Sequence, residues 1–357
     1  HVPLTFPFIS SDKFPCFVIF FLVLFLKLAM PIIASDFKTV FPFSNGHFNT
    51  VYRNLFTSPR ILFQRERIPT ADGDFLDLDC ACVNSKHVAL LLHGLEGSSQ
   101  SKYILSTALN LNRQNIDVIV LNMRGCSGEK NRLYKSYHSG ETEDLNATVL
   151  HIDKNYDYQS ISLIGFSMGG NMVLKYAGER KLKPAIKCVV AIGPPCDLKG
   201  SAKTLSKKSN SLYMKRFLKT LTKKVVQKSI DHPKECLDIK TIRKSKSFLD
   251  FDNLYTAPSF GFKDAEDYWK QASSLFYLEG IQTPTYLLSA NDDPFLSESC
   301  YPYKLAENNP FLFLETPKTG GHIGFSHSFQ NRKNIWCEQK ILTFISEYQD
   351  KHGIGLK

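Results

Sequence analysis

The chain has 357 residues, 43% apolar and 22% charged, which allows one large or two ordinary globular domains with a sizeable core and excludes a disordered or low-complexity protein. Nine cysteines, odd in number, scattered and without a Cys-x-x-Cys pair, argue against a disulfide framework or a zinc site and fit a reducing compartment. The net charge of +10 is local: residues 199–246 hold 15 Lys or Arg against three acids, a net +12, so the remainder is near neutral at about −2.

In chain order, Phe14 to Leu26 is a run of 13 residues without a charge, followed by Lys27 and then Leu28 to Ala34. Thirteen residues are fewer than the roughly 20 a spanning helix needs, but counting through Lys27 brings the stretch to 21. Residues 14–34 therefore read as a membrane anchor, as a cleaved signal, or as sequence upstream of a start at Met30. The last reading leaves a cytoplasmic protein. We divide the chain accordingly into a hydrophobic segment, 1–34, and one domain, 35–357.

Phe37 to Phe63 is aromatic and without a clear period, and reads as irregular. Arg65 to Val83 reads as an antiparallel hairpin around the turn Ala71-Asp-Gly-Asp74. Short apolar strands then alternate with helices. Strands are predicted at 88–92, 118–121, 160–164, 188–192, 285–288 and 311–314. Helices are predicted at 103–111, 141–155, 171–178 and 335–348. This alternation implies an α/β fold with a mostly parallel, twisted sheet covered on both faces. The gap between Cys196 and Gln282 exceeds a simple crossover and contains the basic block. Leu212, Met214, Phe217, Leu218, Leu221 and Val225 recur there at helical spacing, which predicts a helical lid insertion over about 197–282.

The predicted strand at 160–164 runs into Gly165-Phe-Ser-Met-Gly169 and then into a helix, the setting of a nucleophile elbow at Ser167. A serine hydroxyl needs a histidine to take its proton and a carboxylate to orient that histidine. Downstream, His322 sits in a glycine loop, Thr319-Gly-Gly-His-Ile-Gly-Phe325, and is preferred over His232, His327 and His352. The acid belongs after strand 285–288, in Ser289-Ala-Asn-Asp-Asp-Pro-Phe295, where the proline after Asp293 favours it over Asp292. An oxyanion hole would use the backbone N–H of Met168, after the nucleophile, and that of Leu95 in His93-Gly-Leu-Glu-Gly-Ser98. His93 reads as structural beneath this loop. Neither His-Glu-x-x-His nor a glycine-rich nucleotide loop occurs, so no cofactor is expected.

These motifs, together with Met123-Arg-Gly-Cys-Ser-Gly-Glu129 and Tyr137-His-Ser-Gly-Glu-Thr-Glu-Asp144, resemble the YheT-like serine esterase branch of the α/β-hydrolases from about Phe37 to Ser346. The resemblance implies a charge relay of Ser167, Asp293 and His322 and hydrolysis of carboxylic esters, with lipids among the substrates. Residues 1–29 depart from the bacterial pattern, while animal relatives carry an N-terminal membrane anchor. Arg124, Cys126, Ser127, His138 and Glu141 fall in these boxes. A role bracing the oxyanion loop is expected for Arg124 and Glu141, and none as nucleophile for Cys126. The basic lid suggests an anionic membrane surface as partner. Nucleic acid is not expected, since the block has few interleaved aromatics and no recognised module. An acyltransferase using the same triad, or a binding protein without turnover, are the alternative functions.

Overall fold

Runs of aliphatic residues that cannot face water build the centre of the molecule. The computed structural model describes residues 31–56, 59–235, 237–329 and 335–349, and within them nine strands form one sheet in the order β1-β9-β8-β7-β6-β4-β5-β3-β2. These are β1 (Ile32–Ile33), β2 (Gln64–Pro69), β3 (Phe75–Ala81), β4 (His87–Leu92), β5 (Asp117–Asn122), β6 (Ser160–Phe166), β7 (Ile186–Ile192), β8 (Thr285–Leu288) and β9 (Leu312–Glu315). Only the pairings of β3 with β2 and with β5 are antiparallel. β6 lies between β4 and β7, with Leu163 in register with Leu90 and Val189. Both faces of this centre are covered, which is why β4, β6 and β7 read as continuous apolar runs without alternation.

One face is covered by α2 (Lys102–Arg113) and α9 (Trp336–Gln349), through Ile104, Leu111, Ile341 and Phe344. The other is covered by α3 (Glu143–Asn155) and α4 (Met168–Glu179), through Val149, Ile152, Met172 and Val173. Helix α3 starts two residues later than the acids of 141–144 suggested. Glu141 belongs instead to the turn before it, its amide bonded to the His138 carbonyl and its carboxylate accepting the Glu143 N–H.

The stretch expected to be irregular contains α1 (Gly46–Phe56). Its buried side is mostly polar: beside Tyr52, which packs on Phe43, Asn49, Thr50 and Arg53 are all within 6% of full burial. Asn49 bonds the Phe43 and Ser326 carbonyls and accepts the Ser326 N–H. Arg53 bonds the Ile323 carbonyl and pairs with Glu338 of α9. An apolar-period reading cannot find a helix that docks through hydrogen bonds.

Between β7 and β8 the chain forms α5 (Leu198–Leu205), α6 (Ser211–Asp231), several short helical turns and α7 (Ala265–Ala272). This insertion has its own apolar cluster, in which Met214, Leu218 and Val225 of α6 meet Phe251 and Tyr255. Leu212, expected on the packed face, lies on the exposed one. The hydrophobic segment 1–34 falls outside the described residues, apart from 31–34, which contribute β1 to the sheet edge. No helix among the described residues is long and apolar enough to cross a membrane. The helix α8 (Tyr303–Asn308) lies between β8 and β9.

Candidate active site

Ser167 ends β6 and precedes α4 with φ 53° and ψ −120°, a left-handed conformation that a non-glycine residue keeps only when its surroundings impose it. The two flanking glycines permit it. A Cβ on Gly165 would lie 2.1 Å from the Gly169 carbonyl oxygen, and one on Gly169 would lie 2.5 Å from that of Leu92. The turn closes backbone on backbone, so any side chain at either position forces it open.

The loop after β9 brings His322 to this serine, with Nε2 2.8 Å from Ser167 Oγ. Nδ1 lies 2.8 Å from Asp293 Oδ2 in the loop after β8. A carboxylate can only accept, so Nδ1 carries the proton, and Nε2 is left to accept from the serine hydroxyl. The other Asp293 oxygen accepts the Phe295 N–H at 2.8 Å. The Phe295 ring covers the imidazole with centroids 4.4 Å apart. Asp292 faces away from the imidazole, accepting the Gly321 N–H at 2.8 Å. The His322 amide itself donates to Thr50 Oγ1 of α1 at 2.8 Å. His322 thus hangs between the loop after β8 and α1.

The loop after β4 passes over the serine: a Cβ on Gly94 would lie 3.1 Å from Ser167 Cβ. Its anchor is the Gly94 N–H, which donates to Tyr103 Oη at 2.8 Å. His93 is fully buried beneath the loop, with Nδ1 2.8 Å from the Gly94 carbonyl and Nε2 accepting the Met123 N–H at 3.1 Å. Burial lowers its pKa to about 4, so it stays neutral, consistent with a structural part. Leu95 and Met168 both line the cavity above Ser167. Met168 is the first residue of α4, so its N–H has no intrahelical acceptor.

That cavity, about 130 Å³, lies between the sheet edge and the insertion. Leu198, Leu205, Phe217, Leu221 and Phe251 make it largely apolar. Two polar features interrupt the wall. Asp252 receives the Trp269 indole N–H at 2.8 Å and the Thr256 hydroxyl at 2.7 Å, and burial raises its carboxyl to about 6. In the loop after β4, Glu96 accepts from Tyr137 Oη at 2.6 Å and from the Lys224 ammonium at 2.9 Å.

The boxes after β5 do less here than expected. Arg124 forks onto Asp144 of α3 and reaches Asp72 at 2.8 Å, tying the β2–β3 turn to α3 rather than bracing the loop over Ser167. Glu141 serves the turn before α3, and the loop is held by Tyr103 and Tyr137. Ser127 gives its carbonyl to Arg65. His138 lines the cavity but is packed by Phe260, Phe262 and Tyr268, with burial lowering its pKa to about 3. Burial pushes the Cys126 thiol up to about 11, unlike a nucleophilic cysteine.

Sequence reasoning did not single out Glu96, Lys224 or Asp252. Glu96 stands inside a motif that was read for its glycines. Lys224 is one of 15 cations in the basic block, and only the placement of α6 separates it from the rest. The same reasoning missed Asn171 of α4, fully buried, which bonds the Ser139 and Ala272 carbonyls and accepts the Ser274 N–H. It pins the turn before α3 and the end of the insertion onto the helix that starts at the serine.

Residues 88–327 match the family model described as alpha/beta hydrolase fold. The chain is 28% identical to "Putative esterase YheT" of Escherichia coli over 322 residues, 88% of this chain and 94% of that one. It is 29% identical to a monoacylglycerol lipase of Saccharomyces cerevisiae over 282 residues, 77% of this chain and 62% of that one. Among solved structures, the Pf2001 esterase of Pyrococcus furiosus superposes with a TM-score of 0.54 at 18% identity, covering 83% of this chain and 95% of that one. With a nine-stranded, mostly parallel sheet and a strand–serine–helix turn at its centre, the chain belongs to the α/β-hydrolase fold family.

Proposed function

We propose that the protein is a serine carboxylic-ester hydrolase that works through an acyl-enzyme on Ser167, with lipid esters as substrates. The observation that carries this is the unbroken chain Ser167 Oγ, His322 Nε2, His322 Nδ1, Asp293 Oδ2, with both contacts at 2.8 Å. In the first step Ser167 Oγ bonds to the ester carbonyl carbon while its proton passes to His322 Nε2. Asp293 steadies the imidazolium, and the carbonyl oxygen gains negative charge facing the N–H groups of Leu95 and Met168. His322 then returns the proton to the departing alcohol. Water, deprotonated by the same nitrogen, cleaves the acyl-enzyme to free acid and Ser167.

The apolar cavity supports an acyl chain as occupant, and the names of the esterase and lipase relatives point the same way. The insertion is the lid in this reading, because Tyr213 and Phe217 of α6 pack on Phe295, which covers His322. On the outer face of α6, Lys215, Arg216, Lys219 and Lys223 are exposed and suit an anionic lipid surface. Ser167→Ala is expected to abolish hydrolysis of p-nitrophenyl butyrate and labelling by a fluorophosphonate probe, with the circular dichroism spectrum unchanged. Retained turnover in that variant would refute the assignment. An acyltransferase would share the labelling but form a new ester when an alcohol acceptor is added. A binding protein without turnover would not label.

A further inference from the structure

The loop after β4 ties down every backbone group around the Leu95 N–H and leaves that one free. In a trans peptide the N–H and the preceding carbonyl point opposite ways, so whatever grips the Gly94 carbonyl aims the Leu95 N–H. Two donors grip it: the Gly97 N–H at 2.9 Å and His93 Nδ1 at 2.8 Å. His93 Nε2 accepts the Met123 N–H, so Nδ1 carries the proton this bond requires. The amides on either side of Leu95 end on tyrosine hydroxyls. Gly94 N–H donates to Tyr103 Oη of α2 at 2.8 Å, and Glu96 N–H donates to Tyr137 Oη at 3.1 Å. The Leu95 N–H between them has no acceptor among the described residues. Each tyrosine has a second hold. The buried Tyr103 ring meets Phe166, the residue before Ser167, with centroids 5.1 Å apart. Tyr137 gives its own hydroxyl hydrogen to Glu96 Oε1 at 2.6 Å, bracketing a residue kept at φ 56°.

We infer that Tyr103 and Tyr137 are positioning residues for ester cleavage: each ties down one neighbouring amide, which leaves the Leu95 N–H as the loop's donor to the oxygen that gains charge. The inference rests on the hydrolase reading above. Both hydroxyls act through the backbone between them rather than on the ester. A phenylalanine at either position keeps the ring and removes the acceptor. The released amide then turns toward another partner, and the Leu95 peptide turns with it. What is lost is a bond that matters only once the carbonyl oxygen is charged, so the loss falls on kcat and spares KM.

The test measures p-nitrophenyl butyrate hydrolysis and inhibition by butane-1-boronic acid in wild type, Tyr103→Phe and Tyr137→Phe. The boron of this inhibitor takes an electron pair from Ser167 Oγ while the Oγ proton passes to His322. The tetrahedral anion that results holds a hydroxyl oxygen where the charged carbonyl oxygen would be. Removing an oxyanion donor outright costs about 10²–10³-fold in kcat, and misaiming one should cost about ten- to a hundredfold. Each variant is expected to lose kcat by that factor with KM within about twofold of wild type, and to bind the boronic acid more weakly by the factor lost in kcat/KM. A lower melting temperature with kcat within twofold of wild type would mark merely structural tyrosines and overturn the inference. So would a fall in kcat with boronic acid affinity unchanged. Should Tyr103→Phe fail to fold, the half-buried Tyr137 carries the same test. Failure of the underlying hydrolase reading would look different: Ser167→Ala would still cleave the ester.

Discussion

Two adjacent aspartates separated by one peptide bond do different work, and the difference is geometric. Asp293 gives one oxygen to the His322 imidazole and the other to the Phe295 amide, so the proline turn that follows it aims the carboxylate. Asp292 gives one oxygen to the Gly321 amide, which shapes the loop holding His322, and its other oxygen has no partner among the described residues. An asparagine at 292 can still accept from Gly321. An asparagine at 293 turns a donor toward Nδ1 or favours the wrong imidazole tautomer. Asp293→Asn is therefore expected to lower kcat on p-nitrophenyl butyrate by about 10³–10⁴-fold, and Asp292→Asn by less than about tenfold. Equal losses would reassign the acid. At this scale the sequence offers candidates because chemistry restricts residue types: a serine between two glycines, an Asp before Pro and a His among glycines gain meaning only from their order along the chain and the strands that precede them. Glu96 was not singled out, because nothing in a lone glutamate says that it will sit between Tyr137 and Lys224.

Elements were legible where burial follows a period. Strands β4 to β9 announce themselves as aliphatic runs, and their predicted bounds differ from the observed ones by no more than two residues at either end; β6 runs two further, to Phe166 beside Ser167. Helix α1 was not legible, since its inward positions Asn49, Thr50 and Arg53 look like surface residues until the groups they bond are known. Those bonds reach the His322 amide, the Ile323 carbonyl and Glu338, so α1 holds the His322 loop and α9 together. Arg53→Ala would leave the Glu338 carboxylate, 2% exposed, with its Asn110 bond but no counter-charge, in a site that raises its pKa by burial. The expected loss is about 3–5 kcal/mol of stability in urea unfolding, with ester hydrolysis falling in the remaining folded enzyme. A variant as stable as wild type would show that α1 is dispensable for the loop. The same lesson applies to α6, whose period was read correctly except at Leu212, where flanking lysines and arginine set the outer face.

For the molecule as a whole, charge and chemistry lie on opposite sides of the same insertion. The inner face of α6 supplies Phe217, Leu221 and Lys224 to the cavity, and its outer face carries the exposed cations. Four cations near an anionic bilayer contribute on the order of 1 kcal/mol each, screened within a Debye length. The protein is expected to sediment with phosphatidylserine vesicles at low ionic strength, to release at high salt, and to ignore pure phosphatidylcholine. Changing Lys215, Arg216, Lys219 and Lys223 to Glu should abolish that binding. Equal binding to neutral vesicles would show that charge is not the cause. The concentration of net charge in residues 199–246 made this asymmetry visible in the sequence, whereas the inward turn of Lys224 required the fold.

The order in which the chain is made adds a timing to this geometry. His322 follows Ser167 by 155 residues, and β1 reaches its partner only when β9 exists. At 5–20 residues per second a ribosome needs roughly 8–30 s to bridge that interval. During it the nascent polypeptide carries Ser167 without the imidazole that bonds it and a sheet still open at β7. In the hydrolase reading proposed above, turnover then has to wait until His322 has been made and its amide has docked on Thr50 of α1.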